Sequence, residues 1–198
     1  MQRSPKDLFP NMPQEVFDLW IAPYIPSKGW PFVTGAEEIP SIWKAFFRFK
    51  PLIYWRSLHW KLEVAEFSVV RIDHQSQLLA RRVLDSAVSI ANGTPTKSTE
   101  FNASYDRFNT HAMICIQKRR FQLPVICHVV GNCWDMVDGH HRLAALYYTI
   151  KVKPGNFIFD AWVGHVKTPN SSSNRTREQP RAVQQVRWAY TNASYCDN

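Results

Sequence analysis

Leu123-Pro124-Val125-Ile126-Cys127-His128-Val129-Val130-Gly131-Asn132-Cys133-Trp134-Asp135-Met136-Val137-Asp138-Gly139-His140-His141-Arg142 passes from strand chemistry to helix chemistry in one short stretch. β-Branched and apolar residues fill 125–130, Gly131-Asn132 is a two-residue turn signal, and Cys133 to Val137 returns as a second strand. With those two residues as the loop, Val130 faces Cys133, His128 faces Asp135 and Ile126 faces Val137. The other face then carries Cys127, Val129, Trp134 and Met136, an apolar set expected to point into the core. The His128/Asp135 pair has two readings: an exposed cross-strand polar pair, or an acid that orients a catalytic imidazole. Cys127 and Cys133 leave opposite faces of the hairpin, which argues against a disulfide or a shared zinc.

Outward from the hairpin, the pattern is helical on both sides. Leu143 to Thr149 continues as a helix with Leu143, Ala144, Leu146 and Tyr147 available to pack on the sheet, and Phe157 to Val163 reads as a closing strand. Upstream, Tyr105 to Arg120 predicts a helix with Phe108, Ala112, Cys115 and Ile116 inward, after a polar loop from Thr94 to Asn102. Its basic end, Lys118-Arg119-Arg120, suits a helix C-terminus without any nucleic acid. From Gln75 to Ala91, Leu79, Val83 and Ala87 recur beside Ala80, Leu84, Val88 and Ala91, the period of an amphipathic helix that Asn92-Gly93 ends.

Residues 1–60 read as an aromatic-rich helical or irregular extension, with short helices expected at Glu15–Ile21 and Ser41–Phe49, the latter bracketed by Pro40 and Pro51. Trp20, Trp30, Trp43, Trp55 and Trp60 are most simply packing residues. Residues 61–167 make the main domain, and 168–198 a basic, polar, flexible tail that opens on the linker-like Thr168-Pro169-Asn170-Ser171-Ser172-Ser173-Asn174.

The totals agree with a globular α+β protein. The chain has 198 residues, 45% hydrophobic and 20% charged, with eight tryptophans, enough to bury a core without metal or disulfide support. Four cysteines without a CxxC pair do not form a disulfide framework. No apolar run has the length of a signal peptide core or a membrane span, so a cytoplasmic protein with no membrane partner is expected. The net charge of +8 favours phosphorylated ligands or nucleic acid.

The chemistry gathers where the second hairpin strand meets the helix. First-turn N–H groups of a helix have no intrahelical acceptors and sit at the positive end of the dipole, so this junction suits an anion. Gly139 permits close approach to the backbone, and Arg142 adds a bidentate donor fork for phosphate oxygens. Asp138 is expected either as the N-cap or as a ligand of Mg²⁺ carried by a nucleotide. His140 and His141 project about 100° apart on a helix, so they do not share one ion; one faces the pocket and the other bonds to the scaffold.

The run Trp134-Asp135-Met136-Val137-Asp138-Gly139-His140-His141-Arg142-Leu143-Ala144-Ala145-Leu146, preceded by Leu123-Pro124-Val125-Ile126 and a helix, resembles the ParB/sulfiredoxin superfamily. The resemblance covers roughly residues 104–165, with Ser68 to Ala91 as its leading strand and helix. It implies a small mixed sheet with packed helices and a Gly-x-x-Arg helix start that binds nucleotide phosphates. Sulfiredoxins are similar at Gly139, His141 and Arg142 but place a reactive cysteine where this chain has His140. ParB proteins, which bind CTP, are similar at Gly139 and Arg142 and follow the domain with a helix-turn-helix region for which the tail is too short. The Asp-Gly-His-His-Arg form is similar to that of free serine kinases of this fold. That similarity implies transfer of a phosphoryl group from ATP or another nucleotide, with Mg²⁺, to a small hydroxyl-bearing acceptor. In it Gly139, His140, His141 and Arg142 hold phosphate, Asp138, His140 and His141 serve catalysis, and an upstream acid such as Glu63, Glu66 or Glu100 is the base. The alternative is a nucleotide-controlled DNA-binding or nuclease-type protein whose basic tail lies on the DNA backbone.

Overall fold

The computed structural model describes residues 5–29, 41–93 and 99–166, with the side chains of 99–103 excepted. The expected tail, Trp30 and most of the loop after Gly93 lie outside the described residues. The fold is mixed α/β: a four-stranded sheet of β1 (Leu58–Glu66), β2 (Val125–Val130), β3 (Cys133–Asp138) and β4 (Ile158–Val166), in the order β1-β4-β2-β3. The described chain divides into two compact units, one of 5–29, 41–61, 129–132 and 164–166, the other of 62–93, 99–128 and 133–163.

In the first unit prolines keep the helices short. Pro13 caps α1 (Gln14–Val16), which runs into a π-helical turn at Phe17–Ile21. Pro26 opens α2 (Ile25–Lys28), and Pro51 caps α4 (Leu52–Ser57). The expected helix over Ser41–Phe49 stops early, as α3 (Ser41–Lys44), because Arg48 and Phe49 turn the chain at φ 52° and 55°. These elements surround an aromatic core: Trp20, Trp43, Trp55 and Phe47 are fully buried. The Trp20 ring lies 4.9 Å from Trp55 and 5.4 Å from Phe46. Burying each such ring contributes about 1.5–3 kcal/mol from apolar area, with edge and stacking geometry adding to it. Packing therefore accounts for the described tryptophans of this unit.

In the second unit the amphipathic segment forms α5 (His74–Ala91), one residue longer than its apolar pattern. Asp73 caps it, accepting from the backbone N–H of Gln75 at 2.9 Å and of Ser76 at 3.2 Å. Next, α6 (Thr99–Lys118) begins inside the stretch expected to be a polar loop. Phe108, Ala112 and Cys115 are buried as their spacing predicts, while Ile116 is half-buried. α7 (His140–Val152) packs against both α5 and α6, so Leu143, Ala144, Ala145 and Leu146 are all buried. Two ring contacts fix its sides, Tyr147 on Phe67 and Tyr148 on Phe108. The basic end of α6 is spent on the protein: Arg119 donates to the carbonyls of Lys153 and Pro154, and Arg120 pairs with Asp160 at 2.7 Å.

Two strand expectations need correction. The leading strand is β1 at Leu58–Glu66, not a strand near Ser68; 67–69 is a turn, and Ile72 adds one parallel bridge to Trp134. The hairpin has the expected bounds, but its apolar face does not by itself mark the core. Val125, Ile126, Cys127 and His128 are all buried, because β2 is an inner strand, whereas Trp134 and Val129 on the apolar face are half-buried. Cys115, Cys127 and Cys133 are free thiols.

Candidate functional site

Asp138 is the last residue of β3, and Gly139 is the N-cap of α7, with φ 107° and ψ 15°. This overturns the N-cap role expected for Asp138. Its carboxylate instead accepts from Arg142 Nη2 one helical turn on. The glycine has a reason that needs no ligand: the positive φ disfavours any side chain, and a Cβ there would stand 2.8 Å from Val125 Cγ1 and 3.2 Å from Arg142 Nε. The space thought open to a ligand is thus filled on that side by strand β2 and the arginine.

Arg142 is buried, with 6% of its surface exposed. Its Nε has no hydrogen-bond partner among the described residues. A buried guanidinium with an unused donor is costly unless something supplies an acceptor, and it sits at a helix start whose cap offers no side chain to the first-turn amides.

Around it α6 contributes residues that sequence reasoning did not single out. Ser104 Oγ lies 2.8 Å from His141 Nε2. Burial pushes the His141 pKa below 6.5, and Arg107 and Arg142 push it the same way against the opposing charge of Asp138. The effect is larger at His111, where burial first, then Arg142 and His141, lower it to about 4. Both imidazoles are therefore neutral near pH 7. Arg107, His111, His141 and Arg142 form one cluster in which Asp138 supplies the negative charge. The signal for His111 was its spacing of seven from Ser104 and three from Phe108, which puts Ser104, Phe108 and His111 on one face of α6. Adjacent to His141, His140 is half-buried on a different side of α7.

The remaining expected residues are placed elsewhere. His128 is fully buried and its Nε2 donates to Asp135 Oδ2 at 3.0 Å, so the exposed-pair reading fails. Ser76 Oγ lies 3.4 Å from Asp135 Oδ1 and accepts from the Met136 N–H at 2.8 Å. The pair therefore ties β2 and β3 to α5. Of the suggested bases, Glu66 accepts from Ser68 Oγ at 2.6 Å, the charge of Glu63 is felt at Cys127, and the side chain of Glu100 is outside the described residues.

Among the described residues no three His, Cys, Asp or Glu side chains gather as a metal cage. The residues fit a protein-borne Mg²⁺ poorly, since Asp138 Oδ2 is taken by Arg142; a Mg²⁺ carried on nucleotide phosphates needs one carboxylate oxygen, for which Asp138 Oδ1 remains.

The fold and site define a mixed α/β protein with a buried, cation-rich helix start. No protein-family model, curated protein or solved structure matches the chain. No helix among the described residues is long and apolar enough to cross a membrane.

Proposed function

We propose that the β3–α7 junction binds the phosphates of a nucleotide in a ParB/sulfiredoxin-like manner. Buried Arg142 carries this reading, with its unpartnered Nε beside an N-terminus that has no side-chain cap. Arg107 adds a second positive charge, and the neutral His111 and His141 can offer N–H donors without repelling one another. Binding phosphate relieves the mutual repulsion of Arg107 and Arg142 and supplies the acceptor that Arg142 lacks.

The catalytic form of this reading is a small-molecule kinase or nucleotide hydrolase. Arg142 and the helix start hold the phosphates and stabilise charge that develops on them. Asp138, released from Arg142 when phosphate takes its place, accepts the proton of the attacking hydroxyl. Mg²⁺ bound to the nucleotide would supply charge neutralisation there.

Thermal melting with ATP, ADP, CTP and GTP, each with and without Mg²⁺, tests the binding. At one hundred times Kd a nucleotide stabilises the fold by about 2.7 kcal/mol, so a clear rise in Tm is expected with at least one. Failure of all four to move Tm overturns the reading. Release of ADP on adding serine or another small alcohol tests the kinase form.

A further inference from the structure

A cleft of about 370 Å³ opens between α5, α7 and the turn after β1. Buried Ile72 lies at its base and half-buried Phe67 and Leu84 along its walls, with the Tyr147 ring set edge-on to Phe67 at 5.8 Å. Arg81 and Lys151 stand exposed at its margin, one from each helix. Among the described residues neither cation is in an ion pair or hydrogen bond, and the Tyr147 hydroxyl, which feels the Arg81 charge, has no hydrogen-bond partner. Asp73, whose charge reaches the Tyr147 hydroxyl, caps α5 through Oδ1.

Carbon walls with two uncommitted cations and a hydroxyl at the edge match one kind of ligand: an apolar body with a single anionic head. We propose that this cleft binds a small organic carboxylate. Its ring or branched chain lies between Phe67, Leu84 and Tyr147, and its carboxylate lies at Arg81 and Lys151. The volume is within the ordinary range for small-molecule pockets, roughly 300–1,000 Å³, and suits an acid of one or two rings. Burial pushes the Tyr147 hydroxyl up from its usual range, so it stays protonated and donates to the carboxylate. The site is separate from the phosphate junction, since Lys151 lies nine residues beyond Arg142, about 13 Å of helix.

The probe is 2-naphthoate, with the neutral 2-naphthamide as its isostere, titrated into the full chain and followed by NMR shifts of Tyr147 and Leu84. A ligand of this size should bind with Kd of roughly 0.1–1 mM, with the amide at least tenfold weaker. Arg81→Gln with Lys151→Gln alters exposed side chains only; it should remove the preference for the acid and leave residual binding equal to that of the amide. Leu84→Glu should abolish both, and saturating ATP should change neither. Equal binding of acid and amide would mark a surface for an apolar partner and overturn the proposal. So would the absence of naphthoate binding, its survival in the double variant, or its displacement by ATP.

Discussion

Replacing Gly139 by alanine tests why a glycine stands at the junction. At φ 107° an L-residue is strained by about 1–3 kcal/mol. The new Cβ would also meet Val125 Cγ1 at 2.8 Å, closer than side chains tolerate, and Val125 Cβ at a tight 3.1 Å. Relief requires β2 or the start of α7 to shift, an overpacking cost of about 1–3 kcal/mol. Together Gly139→Ala should destabilise by roughly 2–6 kcal/mol. Urea unfolding reads this as a midpoint lower by about 1–3 M at an unchanged slope. Val125→Ala removes Cγ1, the nearer of these contacts, and leaves Cβ, so in the double variant the two losses should fall short of additivity by about 1–2 kcal/mol. A loss below about 1 kcal/mol, or strict additivity, would refute the packing explanation and return the glycine to ligand approach alone.

Other perturbations follow from single contacts. Asp73→Ala removes the acceptor of two first-turn amides of α5 and should cost about 0.5–2 kcal/mol in thermal or urea unfolding, with most of it restored by Asn. His111 binds its proton more weakly in the folded chain, at about 4, than in the unfolded chain near 6.5. Stability from this group is therefore present above pH 6.5 and lost as pH falls towards 4. His111→Gln should flatten that part of the pH–stability curve, which urea melts across pH 4–7 would show. Cys115 is buried with its pKa pushed up to about 12, and Cys127 is raised by burial too. Ellman's reagent should label neither in the native protein and both in denaturant.

The hairpin was legible because turn chemistry and strand composition act over a few residues: Gly131-Asn132 set its loop and 125–130 its first strand. The three long helices were legible from their apolar spacing. Burial was less so, because face assignment from alternation supposes that one side of the sheet meets solvent. His128 shows the failure: an inner strand buries both faces, and Asp135 makes that burial tolerable for an imidazole. β1 carried its own signal in the alternation of Leu58, Trp60, Leu62 and Val64. The abundance of aromatics on its N-terminal side hid it, and Leu62 and Val64 prove to be exposed. At the junction, the motif named Asp138, Gly139, His141 and Arg142 within one five-residue run. It could not show that Asp138 is held by Arg142, or that Arg107 and His111 come from a helix far back in the sequence. Those depend on how α6 and α7 pack, which no local pattern records.

The phosphate site is tested most directly by calorimetric titration of Mg²⁺-ATP at low salt into the wild type, Arg142→Met and Arg107→Gln. Met keeps much of the buried volume at 142, and Arg107 is exposed, so the second variant reports charge without disturbing the core. A charge-assisted contact is worth about 1.5–3 kcal/mol. Arg142→Met should therefore weaken binding by roughly ten- to a hundredfold, and Arg107→Gln by a few-fold at an unchanged melting temperature. Wild-type protein that takes up no nucleotide, or two folded variants that bind as tightly as wild type, would contradict a phosphate site at the start of α7.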